Sequence, residues 1–109
     1  MPTTYKVLGQ SNPSATTLTT LYTVPSATNA VVSSITVANL AATAATFRIA
    51  VRPAGASIAN SQYIGYDITV GASDTTVLTM GITMNATDVL SVYASTATVT
   101  FSAFGSEIS

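Results

Sequence analysis

Short runs in which apolar and polar residues alternate recur at intervals of about 8–13 residues, with Gly, Pro, Asn, Asp and Ser between them. Alternation with a period of two places successive side chains on opposite faces of a β-strand. The pattern therefore predicts an all-β protein, an antiparallel β-sandwich of about eight strands with either a jelly-roll or an immunoglobulin-like strand order. The runs are Tyr5–Leu8, Leu18–Val24, Val31–Leu40, Phe47–Arg52, Tyr63–Val70, Thr75–Ile82, Val89–Ala94 and Thr98–Phe104.

The parity of the strongly alternating runs predicts which side chains form the core. Phe47, for example, shares a face with every second residue after it, while Arg48 and Arg52 share the opposite face. Applied to each run, the same argument predicts a core of Val31, Ile35, Val37, Phe47, Ile49, Val51, Ile68, Leu78, Met80, Leu90, Val92 and Phe101.

The segments between the runs predict turns. Gly9–Ser14 is too polar for the interior of a strand, so the first strand is expected to end at Leu8. The short link Ser95–Ala97 predicts that the last two runs pair as a hairpin. Asp74 and Asp88 fall in predicted turns, where we expect their carboxylates to accept hydrogen bonds from backbone N–H groups.

A chain of 109 residues is long enough for one domain with a real core, so residues 1–109 are expected to form a single sandwich. The chain has no Cys, so no disulfide contributes to its stability. Residues 1–17 are polar apart from one short apolar run. This composition predicts an N-terminal arm in which Tyr5–Leu8 pairs with a neighbouring chain.

Charged residues make up only 6% of the chain, and its net charge is −1. Lys6, Arg48 and Arg52 are too few cations to neutralise a nucleic-acid backbone or to hold the chain on an anionic membrane. No apolar run approaches the ~20 residues that span a bilayer. The surface is expected to consist mainly of Thr, Ser and Ala, and weakly charged surface of this kind is typical of the centres of interfaces. We therefore expect partner subunits, and neither nucleic acid nor membrane, to cover much of it.

Candidate chemistry is sparse. The chain has neither His nor Cys, so the most common general base near neutral pH and the thiol nucleophile are both missing. The four acidic residues show no spacing that suggests a carboxylate pair or the six or more oxygen ligands of a calcium site. The sequence therefore predicts a protein that is not an enzyme and that uses no cofactor and no metal.

The residues that stand out are candidates for subunit contacts. Arg48 and Arg52 lie four residues apart on one predicted strand, so both project from the same face, and Asp67 is a plausible partner. They form either a surface ion pair or a contact with another subunit. Tyr63 and Tyr66 are predicted to lie on opposite faces of one strand, which leaves at least one of them half-exposed. Tyr5 and Lys6 join these candidates as residues of the predicted arm.

Four segments of the chain carry a resemblance to known proteins: Leu21-Tyr22-Thr23-Val24-Pro25, Thr46-Phe47-Arg48-Ile49-Ala50-Val51-Arg52-Pro53-Ala54-Gly55, Tyr63-Ile64-Gly65-Tyr66-Asp67 and Asp88-Val89-Leu90-Ser91-Val92-Tyr93-Ala94. They resemble small virion structural proteins of tailed bacteriophages, including cyanophages. The resemblance extends from about residue 18 to about residue 108. Its motifs are signatures of strands and turns and name no catalytic site.

The resemblance implies a non-enzymatic structural protein located in the virion. The function expected first is a capsid decoration or cement protein that binds the shell of the major capsid protein from outside, as a homo-oligomer and most simply a trimer. The alternative is a structural or receptor-binding component of the tail, neck, baseplate or a fibre. A likeness in strands and turns is evidence of the fold more than of the position in a particle.

Overall fold

The protein is an eight-stranded antiparallel sandwich in a computed structural model that describes residues 2–109. Strands β1, β8, β3 and β6 form one sheet in that order, here called sheet I, and β2, β7, β4 and β5 form sheet II. The predicted β-sandwich is thus confirmed. The strands are β1 Thr3–Ser11, β2 Thr19–Thr23, β3 Asn29–Asn39, β4 Ala45–Arg52, β5 Tyr63–Val70, β6 Thr75–Met84, β7 Val89–Ala94 and β8 Val99–Ile108.

The pairing of the strands decides between the two predicted topologies. Each of the pairs β4–β5, β3–β6, β2–β7 and β1–β8 is antiparallel, so the chain folds as one long hairpin that wraps into two sheets. In an immunoglobulin-like sandwich the first two strands would share a sheet. Here β1 and β2 lie in different sheets, and the order is that of a jelly roll.

The predicted hairpin between the last two strands is wrong. β7 lies inside sheet II between β2 and β4, whereas β8 lies inside sheet I between β1 and β3. The link between them therefore carries the chain from one sheet to the other, with the N–H of Ser95 donating to the carbonyl of Thr46. A short polar link is compatible with either geometry, so its length could not separate a hairpin from a crossing between sheets.

The N-terminal segment forms part of the sandwich and is not an arm. β1 pairs with β8 from Thr3 to Ser11, and Leu8 is buried in the core. The strand also continues through Gly9 and Gln10, which were expected to form a turn. This continuation is possible because Leu8 is an extra residue in the β1–β8 ladder, which lets the polar residues after it resume pairing with β8.

The core lies between the sheets and includes most of the predicted residues. Phe47 of sheet II and Phe101 of sheet I meet edge to face with ring centroids 6.0 Å apart, and both are fully buried. Fully buried members of the predicted set are Ile35, Val37, Phe47, Ile49, Leu90, Val92 and Phe101, and partly buried ones packed against the core are Val51, Ile68 and Leu78. Met80 is partly buried but is not among the side chains packed against the core; it lies in the bulge of β6 between Thr79 and Ile82.

Val31 was assigned to the wrong face of β3. Val32 is fully buried in its place, whereas Val31 is only half-buried. The ladder from β3 to β8 skips Ser33, and this bulge reverses the alternation of β3 before Ser34. The backbone passes so close to β8 at this point that a Cβ on Gly105 would collide with the carbonyl oxygen of Val31.

All four edge strands carry an extra residue relative to their inner neighbours. The register shifts once in β1, once in β2, twice in β5 and once in β6. Bulges twist an edge away from the flat geometry that a foreign strand needs for pairing. The edges are thus protected by backbone geometry, in a chain whose only Lys is Lys6.

Replacement of Phe47 by Ala tests the core. The side chain is fully buried and its ring contacts Phe101 across the two sheets, so Phe47→Ala is expected to lower the free energy of unfolding by about 3–5 kcal/mol. Denaturant unfolding of both proteins measures this difference. Leu40→Ala is a matched control, because Leu40 is 69% exposed and should change stability little. Equal stability of the Phe47 variant and the wild type would contradict the assigned core.

Candidate functional site

A cluster of aromatic and charged side chains occupies the outer face of sheet II. The guanidinium carbon of Arg48 lies 4.2 Å from the ring centroid of Tyr66 and 4.3 Å from that of Tyr93. The Arg48 Nε donates to Asp67 Oδ1 at 2.6 Å, which confirms the predicted partner. Two rings and a carboxylate therefore fix the orientation of this guanidinium, and the same carboxylate raises the pKa of Arg48.

Tyr63 and Tyr66 lie on the same face of sheet II, so the prediction that they lie on opposite faces is wrong. Their rings meet edge to face with centroids 4.9 Å apart. Ile64 is an extra residue in the ladder between β5 and β4, and it shifts the alternation between the two tyrosines. A second shift follows at Tyr66 and Asp67, where Asp67 has a positive φ of 50°. Asp tolerates this left-handed conformation better than most residues.

Arg52 lies on the same outer face, where its contacts are internal. Its Nε donates to the hydroxyl of Ser91, and its Nη1 donates to the carbonyl of Ala56 in the β4–β5 connection. This connection lies over the β7 end of the face, and Asp88 anchors it by accepting from the N–H of Ala54. Ser91 and Val89 are consequently buried although they lie outside the core.

A shallow depression of about 430 Å³ borders the cluster and is lined by Asn60, Tyr63 and Tyr66. Tyr66 is 57% exposed, whereas Tyr63 is half-buried. The depression combines an amide, two phenol hydroxyls and aromatic surface, which are groups that hydrogen-bond and pack against a protein or a sugar. We call Arg48, Tyr63, Tyr66 and Asn60 the Arg–Tyr surface.

The structure separates Tyr5 and Lys6 from the Arg–Tyr surface, because both belong to β1 in sheet I. Tyr5 is 83% exposed on the outer face of that sheet. Lys6 forms an ion pair with Glu107 of β8, with Nζ 3.2 Å from Oε1. The other oxygen of Glu107 accepts a hydrogen bond of 2.5 Å from the hydroxyl of Tyr22 in sheet II. This three-residue network was not predicted, since its members are far apart in the sequence.

The Tyr22–Glu107–Lys6 network joins the two sheets and perturbs the titration of two of its members. The hydrogen bond from Tyr22 and the ammonium group of Lys6 hold the pKa of Glu107 below its ordinary value of 4.5. Burial and the neighbouring carboxylate raise the pKa of Tyr22. Each of the three groups thus has its partner within the fold.

The positions of the charged residues leave one face of the sandwich without charge. Asp74 and Asp88 accept hydrogen bonds from backbone N–H groups in turns, as predicted from the sequence. In the part of the chain that the structure describes, no charged side chain lies on the outer face of sheet I. The pair Lys6–Glu107 faces the space between the sheets, and the charged residues on the outer face of sheet II are Arg48, Arg52 and Asp67.

Over residues 2–109, no group of three or more Asp and Glu side chains is arranged to hold a metal ion. The described chain also contains no helix with the length and apolarity to cross a membrane. No protein-family model and no curated protein matches this sequence.

Replacement of Glu107 by Gln tests the network through pH. Because the pKa of Glu107 is lower in the folded protein, its charged form stabilises the fold above about pH 4.5, and this contribution is lost as the pH falls through the folded pKa. Denaturant unfolding at several pH values between about 5 and about 3 should show a steeper loss of stability in the wild type than in Glu107→Gln. Tyr22→Phe removes the main hydrogen bond and should also flatten the profile. Identical pH profiles of all three proteins would contradict the network.

Proposed function

We propose that this protein is a structural component of a virus particle, a decoration protein that binds the assembled shell of the major capsid protein from outside and stabilises it. The single observation that carries the proposal is the Arg–Tyr surface, an exposed aromatic and cationic group held rigid by contacts within the fold. Tyr and Arg are the residue types enriched among those that dominate binding energy at interfaces.

Preorganisation is what suits this surface to binding. The Arg48 side chain is only 22% exposed and is held by Asp67, Tyr66 and Tyr93. A side chain that is already ordered loses little conformational entropy when a partner binds. Tyr66, more than half exposed, presents apolar area and a hydroxyl at the rim of the depression. The cluster thus offers a partner a fixed shape at low entropic cost.

The architecture and the sequence support the same proposal. Jelly rolls recur among viral capsid proteins, although they also occur in lectins and cupins, so the fold is an analogy only. The resemblance to virion proteins of tailed phages agrees with it. A surface with few charges also suits a protein that stays in contact with neighbouring subunits while it functions. On a particle, many copies bound side by side would reinforce the shell through multivalent contact.

A second candidate function rests on the depression beside Tyr66. An aromatic ring next to an amide is an arrangement that can pack on and hydrogen-bond to a sugar, and Asn60, Tyr63 and Tyr66 provide it. A tail or fibre component that recognises a host-cell glycan would use it in this way. The binding partner separates the two functions: a capsid shell for the first and a cell-surface glycan for the second.

Binding of Tyr66→Ala to capsids tests the proposal. Shells assembled from the major capsid protein of the same virus, without this protein, are mixed with purified wild type or variant and sedimented. Loss of an interface residue that dominates binding costs about 2 kcal/mol or more, so the affinity of Tyr66→Ala should fall at least about 30-fold. Leu40→Ala serves as the control, because Leu40 is exposed and lies outside the Arg–Tyr surface.

The proposal would be overturned if wild-type protein failed to bind shells, or if Tyr66→Ala bound as tightly as wild type. Binding of the wild type to intact host cells, lost in Tyr66→Ala and competed by free sugars, would support the receptor-binding function instead. Heat resistance of shells with and without bound protein measures the stabilising role directly.

A further inference from the structure

The outer face of sheet I is the one broad surface of the described sandwich that no other part of the same chain covers. Every edge strand is bulged, so strand pairing along an edge is disfavoured. The outer face of sheet II is partly covered by the β4–β5 connection and holds the Arg48–Asp67 ion pair. The outer face of sheet I has neither a covering loop nor an ion pair, so its side chains are accessible to solvent or to a partner.

This face combines small hydroxyl side chains with exposed apolar ones. Tyr5, Val7 and Val77 are 83%, 49% and 58% exposed. In the β1–β8 ladder Tyr5 lies opposite Ser106 and Val7 lies opposite Phe104, so the apolar groups at the β1 side are contiguous. The remaining outward positions on the two inner strands are occupied by Asn29, Val31, Ser34, Thr36, Ala38, Thr100, Ser102, Ser106 and Ile108.

We infer that this face binds the same face of a second copy of the chain and forms a two-fold symmetric dimer. Four strands about 4.8 Å apart and about ten residues long, at about 3.3 Å per residue, span roughly 600 Å². Two such faces bury about 1,200 Å² together, which reaches the lower end of the size range of stable, specific interfaces. The inference does not depend on capsid binding, because it concerns the protein alone.

The absence of charge on the described face, together with its area, favours a second copy as the occupant. A charged partner would gain no complementary ion pair here, and its own charges would lose water without compensation. A face of hydroxyl and apolar groups is complementary to itself, and no like charges meet when two copies face one another. An isologous contact of this kind closes at two subunits. The inference is therefore a dimer, whereas the sequence led us to expect a trimer.

Sedimentation of Thr36→Lys tests the inference. Thr36 lies on the inner strand β3 of the face and is half-buried, so Lys there would be desolvated in the dimer with no carboxylate to pair with it. The wild type is expected to sediment as a dimer of the 11.1 kDa chain, and Thr36→Lys as a monomer at the same concentrations. Thr69→Lys is the matched control, because it adds the same charge to an exposed position of sheet II and should remain dimeric.

Denaturant unfolding establishes that the Lys variants fold. If Thr36→Lys does not fold, Val77→Lys takes its place, because Val77 is well exposed at the edge of the face. A wild type that stays monomeric over the whole concentration range, a trimer, or a folded Thr36→Lys that still dimerises would each overturn the inference. The assay contains no capsid and Tyr66→Ala is expected to remain dimeric, so the failure of this inference and that of the proposed function are distinguishable.

Discussion

Bulging of the edge strands is the constraint on which the rest of this structure depends. A sandwich exposes the backbone of its edge strands to pairing with other chains, and proteins commonly block such edges with charged side chains. This chain has seven charged residues in all and one Lys, so few charged side chains are available to block its edges. Extra residues in β1, β2, β5 and β6 serve instead, and each one shifts the direction of the side chains beyond it.

The same bulges position the functional candidates. The shift at Ile64 brings Tyr63 to the same face as Tyr66, and the shift at Asp67 places its carboxylate beside Arg48. Without them, plain alternation would separate the two tyrosines. The shift at Leu8 allows β1 to stay paired with β8 along its length, which retains the N-terminal segment in the sandwich. The bulges thus both protect the edges of the sheets and build the Arg–Tyr surface.

The sequence was sufficient to predict what depends on local alternation. The two-sheet fold class, the existence of each strand and buried positions such as Phe47 and Ile49 all follow from period-two patterns. Errors arose where a single extra residue changes parity, as at Val31, because a bulge has no clear signature in one sequence. Contacts between residues far apart in the sequence could not be predicted either. Tyr22 meets Glu107 only because the jelly roll brings β2 and β8 to the same end of the sandwich.

We propose that this protein assembles on a virus particle. In that assembly the Arg–Tyr surface contacts the shell, and the uncharged outer face of sheet I contacts a second copy. The most direct measurement is a cryo-electron microscopy reconstruction of particles that carry this protein. We predict paired jelly rolls on the outside of the capsid, with Tyr66 at the contact with the shell and Thr36 near the two-fold axis between copies. Density for the protein on the tail alone, or single copies whose sheet I faces solvent, would contradict the account.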